Sequence, residues 1–207
     1  MAPVPDWLSV VAALALLGAR HLWTLLHSAE LKASTALREA WVRRVLAQPG
    51  AEILAVQTVR NSIMASTLMA TTAALALMGL ITIGHSQMRA LAALPAGDAV
   101  ARFLSTPEIR LILPLGLLAA CIVLFSGAVR LYHRVSYSLG LPKGASELHA
   151  QAEQAALAEI ARAARLYRHG WRAFYAAIAT GAWLVSGAVM LITTVVIVAI
   201  DIAARIE

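Results

Sequence analysis

An all-α, polytopic membrane protein with four transmembrane helices in a bundle and helical cytoplasmic extensions is the fold this sequence predicts. Three observations predict it: four long apolar runs, a composition too poor in charge to coat a water-soluble globule, and basic residues gathered in alternate connecting segments. Hydrophobic residues make up 60% of the 207 and charged residues 14%, with a mean hydropathy of +0.76. Lipid has to cover what polar side chains do not. The whole chain, 1–207, reads as one integral membrane domain, and its runs lie at about 7–26, 61–83, 111–129 and 174–200. An apolar helix of about 20 residues is long enough to cross a bilayer.

The first run follows Met1-Ala-Pro-Val-Pro-Asp6, which lacks the basic start of a secretory signal, so it reads as a membrane helix. Arg20 and His21 interrupt it and have to reach an interface or a partner. From Ser28 to Leu46, Leu37, Trp41 and Val45 recur at every fourth position while Arg38, Glu39, Arg43 and Arg44 take the other faces, an amphipathic stripe. Gln48-Pro49-Gly50 stops that helix. A second long helix is predicted from near Ala51 to Ile83, about 50 Å at 1.5 Å per residue, so its first turns stand outside a hydrocarbon layer of about 30 Å. After the third span, Pro142-Lys143-Gly144 marks a break and Ser146 is placed to cap a helix over 147–169. Leu148, Ala152, Ala156, Ile160 and Ala164 form its apolar ridge, and Gly170-Trp171-Arg172 leads into the fourth span.

The asymmetry of Lys and Arg orients the bundle. The segment from Arg20 to Arg60 and the segment from Arg130 to Arg172 hold most of the basic residues, so 28–60 and 145–172 are predicted to be cytoplasmic, with both termini and the loop from Gly84 to Glu108 outside, in a bacterial inner membrane. The net charge of +6 is then mostly topological, held by anionic lipid headgroups. Nucleic acid is not an expected partner, because no aromatic interleaving or binding motif accompanies the arginines. The single cysteine, Cys121, rules out disulfides and paired-thiol redox chemistry within one chain.

Small residues at four-residue spacing, Ser62, Ser66 and Ala70 in the second span, Gly116 and Ala120 in the third, Gly181 in the fourth, allow helices to approach closely in lipid. Packing within one bundle and a subunit interface are both open readings of these ridges. Three segments, Val56 to Ala74, Arg130 to Ser136 and Tyr167 to Tyr175 with Trp183 further on, resemble the motif blocks of an uncharacterised membrane family, domain of unknown function five-nine-nine. The resemblance covers about 41–191 and implies a four-span architecture without adding chemistry. The family pattern has a proline shortly after the aromatic pair, whereas Ala176-Ala177-Ile178-Ala179-Thr180 has none.

With this topology a polar set gathers at the cytoplasmic boundary. Arg20 and His21 close the first span, Gln57, Arg60 and Asn61 open the second, Arg130, His133 and Arg134 close the third, and His169 and Arg172 open the fourth. Snorkelling to lipid phosphates explains such a set, and so does a basic vestibule that gathers an anion. No metal site and no cofactor is expected: there is no HExxH and no carboxylate in mid-span, and Asp201 reads as an outer-end ion pair with Arg205 four residues on. His21 and His133 as axial haem ligands are a remote alternative. The chain is therefore expected to be non-enzymatic. One function is an oligomeric, anion-favouring channel or transporter-like protein, with Thr67, Thr71, Thr193 and Thr194 as pore-lining hydroxyls. The other is a membrane scaffold or accessory subunit that docks a partner complex or anionic lipid.

Overall fold

The computed structural model describes residues 6–26, 29–48, 50–92, 107–140 and 146–206, and side chains over 6–24, 33–48, 50–85, 110–140 and 150–203. The described residues are helical: α1 (Asp6–Leu26), α2 (Ala29–Ala47), α3 (Glu52–Ala92), α4 (Pro107–Leu139), α5 (Ser146–Gly181), a 3-10 turn (Ala182–Leu184) and α6 (Gly187–Ile206). Among the described residues three helices are long and apolar enough to cross a membrane, over Asp6–Thr24, Glu52–His85 and Arg110–Leu139, and Gly187–Ala203 is a shorter apolar helix. The protein is a helical membrane bundle. The side chains of Lys32, Lys143, Ser146, Leu148 and Arg205, to which the sequence assigns charge, capping, ridge or pairing roles, lie outside the described residues.

The chain packs as two compact units, to which α3, α4 and α5 each contribute part of their length. Unit 2 comprises 28–72 and 121–171. Its core is a four-helix contact: Val42, Val45 and Leu46 of α2, Ala55 and Val59 of α3, Tyr132, Val135 and Leu139 of α4, and Ala156, Ile160 and Ala163 of α5 are all buried. The three-and-four spacing of 128, 132, 135 and 139, matched by 156, 160 and 163, puts each set on one helix face. The predicted ridge of α5 is thus the face that packs. Gly50 at φ +83° reverses the chain between α2 and α3, a conformation an L side chain rarely adopts.

In this unit α4 and α5 run antiparallel, with the Cys121 thiol donating to the Gly170 carbonyl at 3.5 Å and Arg134 3.5 Å from Glu159. Phe125, Tyr167 and Trp171 meet edge-to-face with centroids 5.6 to 6.3 Å apart. Gly170 makes that contact possible, since a Cβ there would lie 2.8 to 2.9 Å from three atoms of the Phe125 ring.

Unit 1 comprises 1–27, 73–120 and 172–207. Its α3 and α4 segments approach closely at Gly84, where a Cβ would lie 2.5 Å from Leu111 Cδ1. α1 and α6 run parallel. The Gly187 N–H donates to Asp6 Oδ1 at 2.6 Å at one end, and Arg20 Nε donates to Asp201 Oδ2 at 3.0 Å at the other. Fourteen residues separate the contacts on each helix, so the two stay in register. Val10, Ala13, Trp183 and Met190 fill the space near the Asp6 end.

The apolar run at 174–200, predicted as one span antiparallel to the first, is thereby corrected. It breaks over 182–186, and its two halves belong to α5 and α6. α5 brings Arg172, Ala176 and Thr180 alongside Leu14 to Thr24 of α1, then Trp183 to Val10 and Ala13, so it runs toward the Asp6 end; α6 runs back. Physically, the 3-10 turn follows the end of α5 at Gly181, and Ser186 caps the next helix. Its Oγ accepts the Val189 N–H at 3.2 Å, and Asp6 satisfies the Gly187 N–H from across the bundle. Together they satisfy two amides that a helix start leaves open, and the Asp6 carboxylate sits at the positive end of the α6 dipole. A fold-back needs no proline when serine and glycine supply the cap. Asp201 pairs with Arg20 at 3.0 Å, and the predicted pair with Arg205 falls on a side chain outside the described residues.

Candidate functional site

Two cavities collect the chemistry, one in each unit. In unit 1, α1, α4 and α5 enclose a cavity of 320 Å³ lined by Leu14, Leu17, Leu113 and Leu117 and by the polar side chains of Arg20, His21, Thr24, Arg172 and Thr180. The hydroxyls are committed locally: Thr24 donates to the His21 carbonyl and Thr180 to that of Ala176, both at 2.8 Å. The charges are not local. Arg20 reaches Asp201, 181 residues away in sequence, with side-chain exposures of only 12% and 27%. Charged groups held inside a helix bundle in lipid are costly unless paired, and His21 and Arg172 line the same cavity as the paired Arg20.

At the other end of unit 1, Asp6 also lies 3.7 Å from Arg110, whose guanidinium sits 5.6 Å from the centre of the Trp183 ring. This cluster ties α1, α4 and the start of α6 together. Asp6 thus holds a helix cap and an ion pair at once, a structural post rather than a ligand group.

In unit 2, α2, α3, α4 and α5 surround a larger cavity of 710 Å³. Leu37, Trp41, Val59 and Ile160 supply apolar walls, while Arg38, Thr58, Asn61, Ser62, Tyr132 and Tyr167 supply polar atoms. Thr58 and Ser62 donate to Leu54 and Thr58 carbonyls of their own helix, so their hydroxyls line the wall chiefly as acceptors. Arg38 Nη1 is buried and has no hydrogen-bond partner among the described residues. Arg168 and Arg38 both lie within electrostatic reach of Tyr132, and Arg168 donates to Ser34 Oγ at 3.5 Å.

Of the ten residues predicted to form a boundary cluster, Arg20, His21 and Arg172 meet in the unit 1 cavity and Asn61 lines that of unit 2. Gln57 and Arg60 on α3, Arg130 and His133 on α4 and His169 on α5 are exposed, and Arg134 is engaged by Glu159. Thr67 and Thr71 are exposed and Thr194 is buried, and the hydroxyls of Thr71 and Thr194 bond to Thr67 and Met190 of their own helices. Thr193 is half-buried. Among the packing residues, Ser66 is buried, Ser62 and Ala70 are half-buried, Ala120 is exposed, and nothing approaches Gly116 or Gly181 within 4 Å. Among the described residues no group of three or more His, Cys, Asp or Glu could hold a metal ion.

Sequence reasoning missed Arg38, Tyr132, Tyr167 and Asp201. Arg38 looks solvated because Leu37 and Trp41 mark the packing face, yet the cavity opens beside that face, where Leu37 is itself 72% exposed. Tyr132 and Tyr167 lie in two of the segments that carry the family resemblance, and Thr58, Asn61 and Ser62 lie in the third.

A family model described as a protein of unknown function, DUF599, matches residues 8–204. No curated protein and no solved structure matches the chain.

Proposed function

The chain belongs to the family of proteins of unknown function DUF599, and we propose that it is a non-enzymatic, anion-favouring membrane protein of transporter-like character that works as a homo-oligomer. The observation that carries this reading is the Arg20–Asp201 pair at the wall of a cavity that also presents His21 and Arg172. An anion in that cavity competes with Asp201 for the Arg20 guanidinium. The carboxylate is then a built-in counter-ion, keeping the arginine paired when no anion is present. Gly116 and Ala120 leave an open, small-residue strip on α4 where a second copy can approach closely.

The parallel packing of α1 and α6 supports one orientation. With the basic segments 28–60 and 145–172 in the cytoplasm of a bacterial inner membrane, the Arg20 end of unit 1 faces inward and the Asp6 end outward. On this reading the end of α6 faces the cytoplasm, whereas the sequence alone puts both termini outside.

Purified protein in proteoliposomes and planar bilayers tests the function. Anion flux is expected, lost in Arg20→Gln and increased in Asp201→Asn, which leaves Arg20 open to an external anion. Silence in all three proteins, with stable co-purification of another membrane complex, favours the scaffold reading instead. That second reading is supported by an exposed groove of unit 2 where Arg43, Arg162 and Arg165 flank Leu157 and Ala161.

A further inference from the structure

We infer that the unit 2 cavity is a binding site for an anionic amphiphile, a molecule with one carboxylate or phosphate group and an apolar body. The inference goes beyond the transport reading, which uses residues of unit 1 only.

Size comes first: 710 Å³ falls within the range of small-molecule sites, about 300–1,000 Å³. Charge comes second. Among the described residues Arg38 is the only group of fixed charge on the wall and no Asp or Glu lines it, and Arg168 adds positive potential at Tyr132. The described carboxylates nearest in sequence to these arginines are turned to other cations: Glu153 lies 3.9 Å from Arg43 and Glu159 3.5 Å from Arg134, while Glu39 lines the separate groove with Arg43 and Arg162. Arg38 Nη1 is shielded from solvent and unbonded among the described residues, so one strong donor is held ready where water does not compensate it. A guanidinium presents its donors in a fork that matches a carboxylate or phosphate. Asn61 and the Tyr132 hydroxyl add neutral donors on the same cavity.

The third observation selects an amphiphile over a bare ion. Leu37, Trp41, Val59, Ala65 and Ile160 make the rest of the wall apolar, with the Trp41 ring only half-buried and so free to cover an alkyl or aromatic body. A small inorganic ion leaves most of this surface unused. The fit is therefore a charged head at Arg38 and an apolar body along Trp41 and Ile160. A free fatty-acid-like anion and the head and upper chain of an anionic phospholipid share that chemistry.

The test uses the full chain in neutral detergent and ω-bromodecanoate, whose bromine quenches tryptophan on contact. Saturable quenching is expected that Trp41→Phe removes, separating this site from any effect at the other four tryptophans. Arg38→Gln is expected to weaken binding about tenfold or more, as loss of a charge-assisted hydrogen bond does, with Arg38→Lys in between. Ile160→Trp, which fills the cavity and leaves the charge in place, is expected to abolish it. Helical circular dichroism and a monodisperse elution profile establish that each variant is folded. Competition identifies the source: displacement by dodecyl phosphate but not by phosphatidylglycerol nanodiscs marks a free anion, and displacement by phosphatidylglycerol but not phosphatidylcholine marks bilayer lipid. Equal displacement by neutral decanol, by inorganic phosphate alone, or unchanged affinity in both Arg38→Gln and Ile160→Trp overturns the inference. Loss of anion flux with binding intact rejects the transport reading alone.

Discussion

Replacing Arg20 and Asp201 singly and together gives a direct measure of the charge pair that joins α1 to α6. The atoms are 3.0 Å apart and both side chains are less than a third exposed. At an effective dielectric near 20 the Coulomb attraction at this distance is about 5 kcal/mol, and desolvation of the two ions cancels much of it. The pair is therefore worth little against two apolar residues but much against one orphaned charge. Arg20→Met and Asp201→Leu are each expected to destabilise the fold by about 3 kcal/mol, because each leaves an uncompensated ion inside the bundle. The double variant is expected to lie within about 1 kcal/mol of the parent. Reversible unfolding in mixed micelles, followed by far-ultraviolet circular dichroism, reads all four proteins, and raising the salt is expected to change the coupling little, since screening acts mainly on exposed charges. Additive single effects, with no recovery in the double variant, would falsify the pairing and with it the counter-ion role of Asp201.

Other consequences test the packing independently. Gly170→Ala forces a Cβ to within 2.9 Å of the Phe125 ring and is expected to cost about 1–3 kcal/mol by the same unfolding assay, whereas Gly116→Ala, with nothing within 4 Å, is expected to be neutral or to gain up to about 1 kcal/mol from helix propensity. Asp6→Ala removes the acceptor for the Gly187 N–H and is expected to cost about 1 kcal/mol, the usual worth of a helix cap. Cys121, buried against the Gly170 carbonyl, is expected to resist maleimide in the folded protein and to react fully once unfolded; rapid labelling under native conditions contradicts the unit 2 core.

The elements were legible because their causes are local. Gln48-Pro49-Gly50 stops α2, the ridge from Ala152 to Ala164 predicts the packed face of α5, and the long apolar stretch after Arg60 predicts a helix longer than a bilayer is thick. Direction is different. An apolar run reports that lipid or protein covers it, not whether the chain continues or turns back within it. The fold-back at 182–186 depends on Ser186 and on Asp6, an acceptor from the other end of the chain, so composition alone reads 174–200 as one span. The Arg20–Asp201 pair escaped sequence reading for the same reason: the two residues become neighbours only after the reversal.

Close-approach glycines show a similar limit. Four-residue spacing singled out Gly116 and Gly181, which face open space, while among the described glycines Gly84, Gly170 and Gly187 are the positions where a Cβ would meet a side chain or backbone at 2.9 Å or less. Spacing describes one helix face, and the tight spot also depends on which side chain the opposing helix presents there. The cavity of unit 2 was partly visible, since Asn61 was singled out. Arg38 was not, because whether an arginine on an amphipathic helix is solvated or walled in is decided by the neighbouring helices.

Disulfide trapping in a Cys121→Ser background measures the direction of α6 against α1. Parallel packing predicts that Arg20→Cys combined with Asp201→Cys cross-links on mild oxidation in membranes, while Asp6→Cys combined with Asp201→Cys does not. The opposite result, a bridge only between positions 6 and 201, contradicts the fold-back, the buried charge pair and the anion pathway that rests on both.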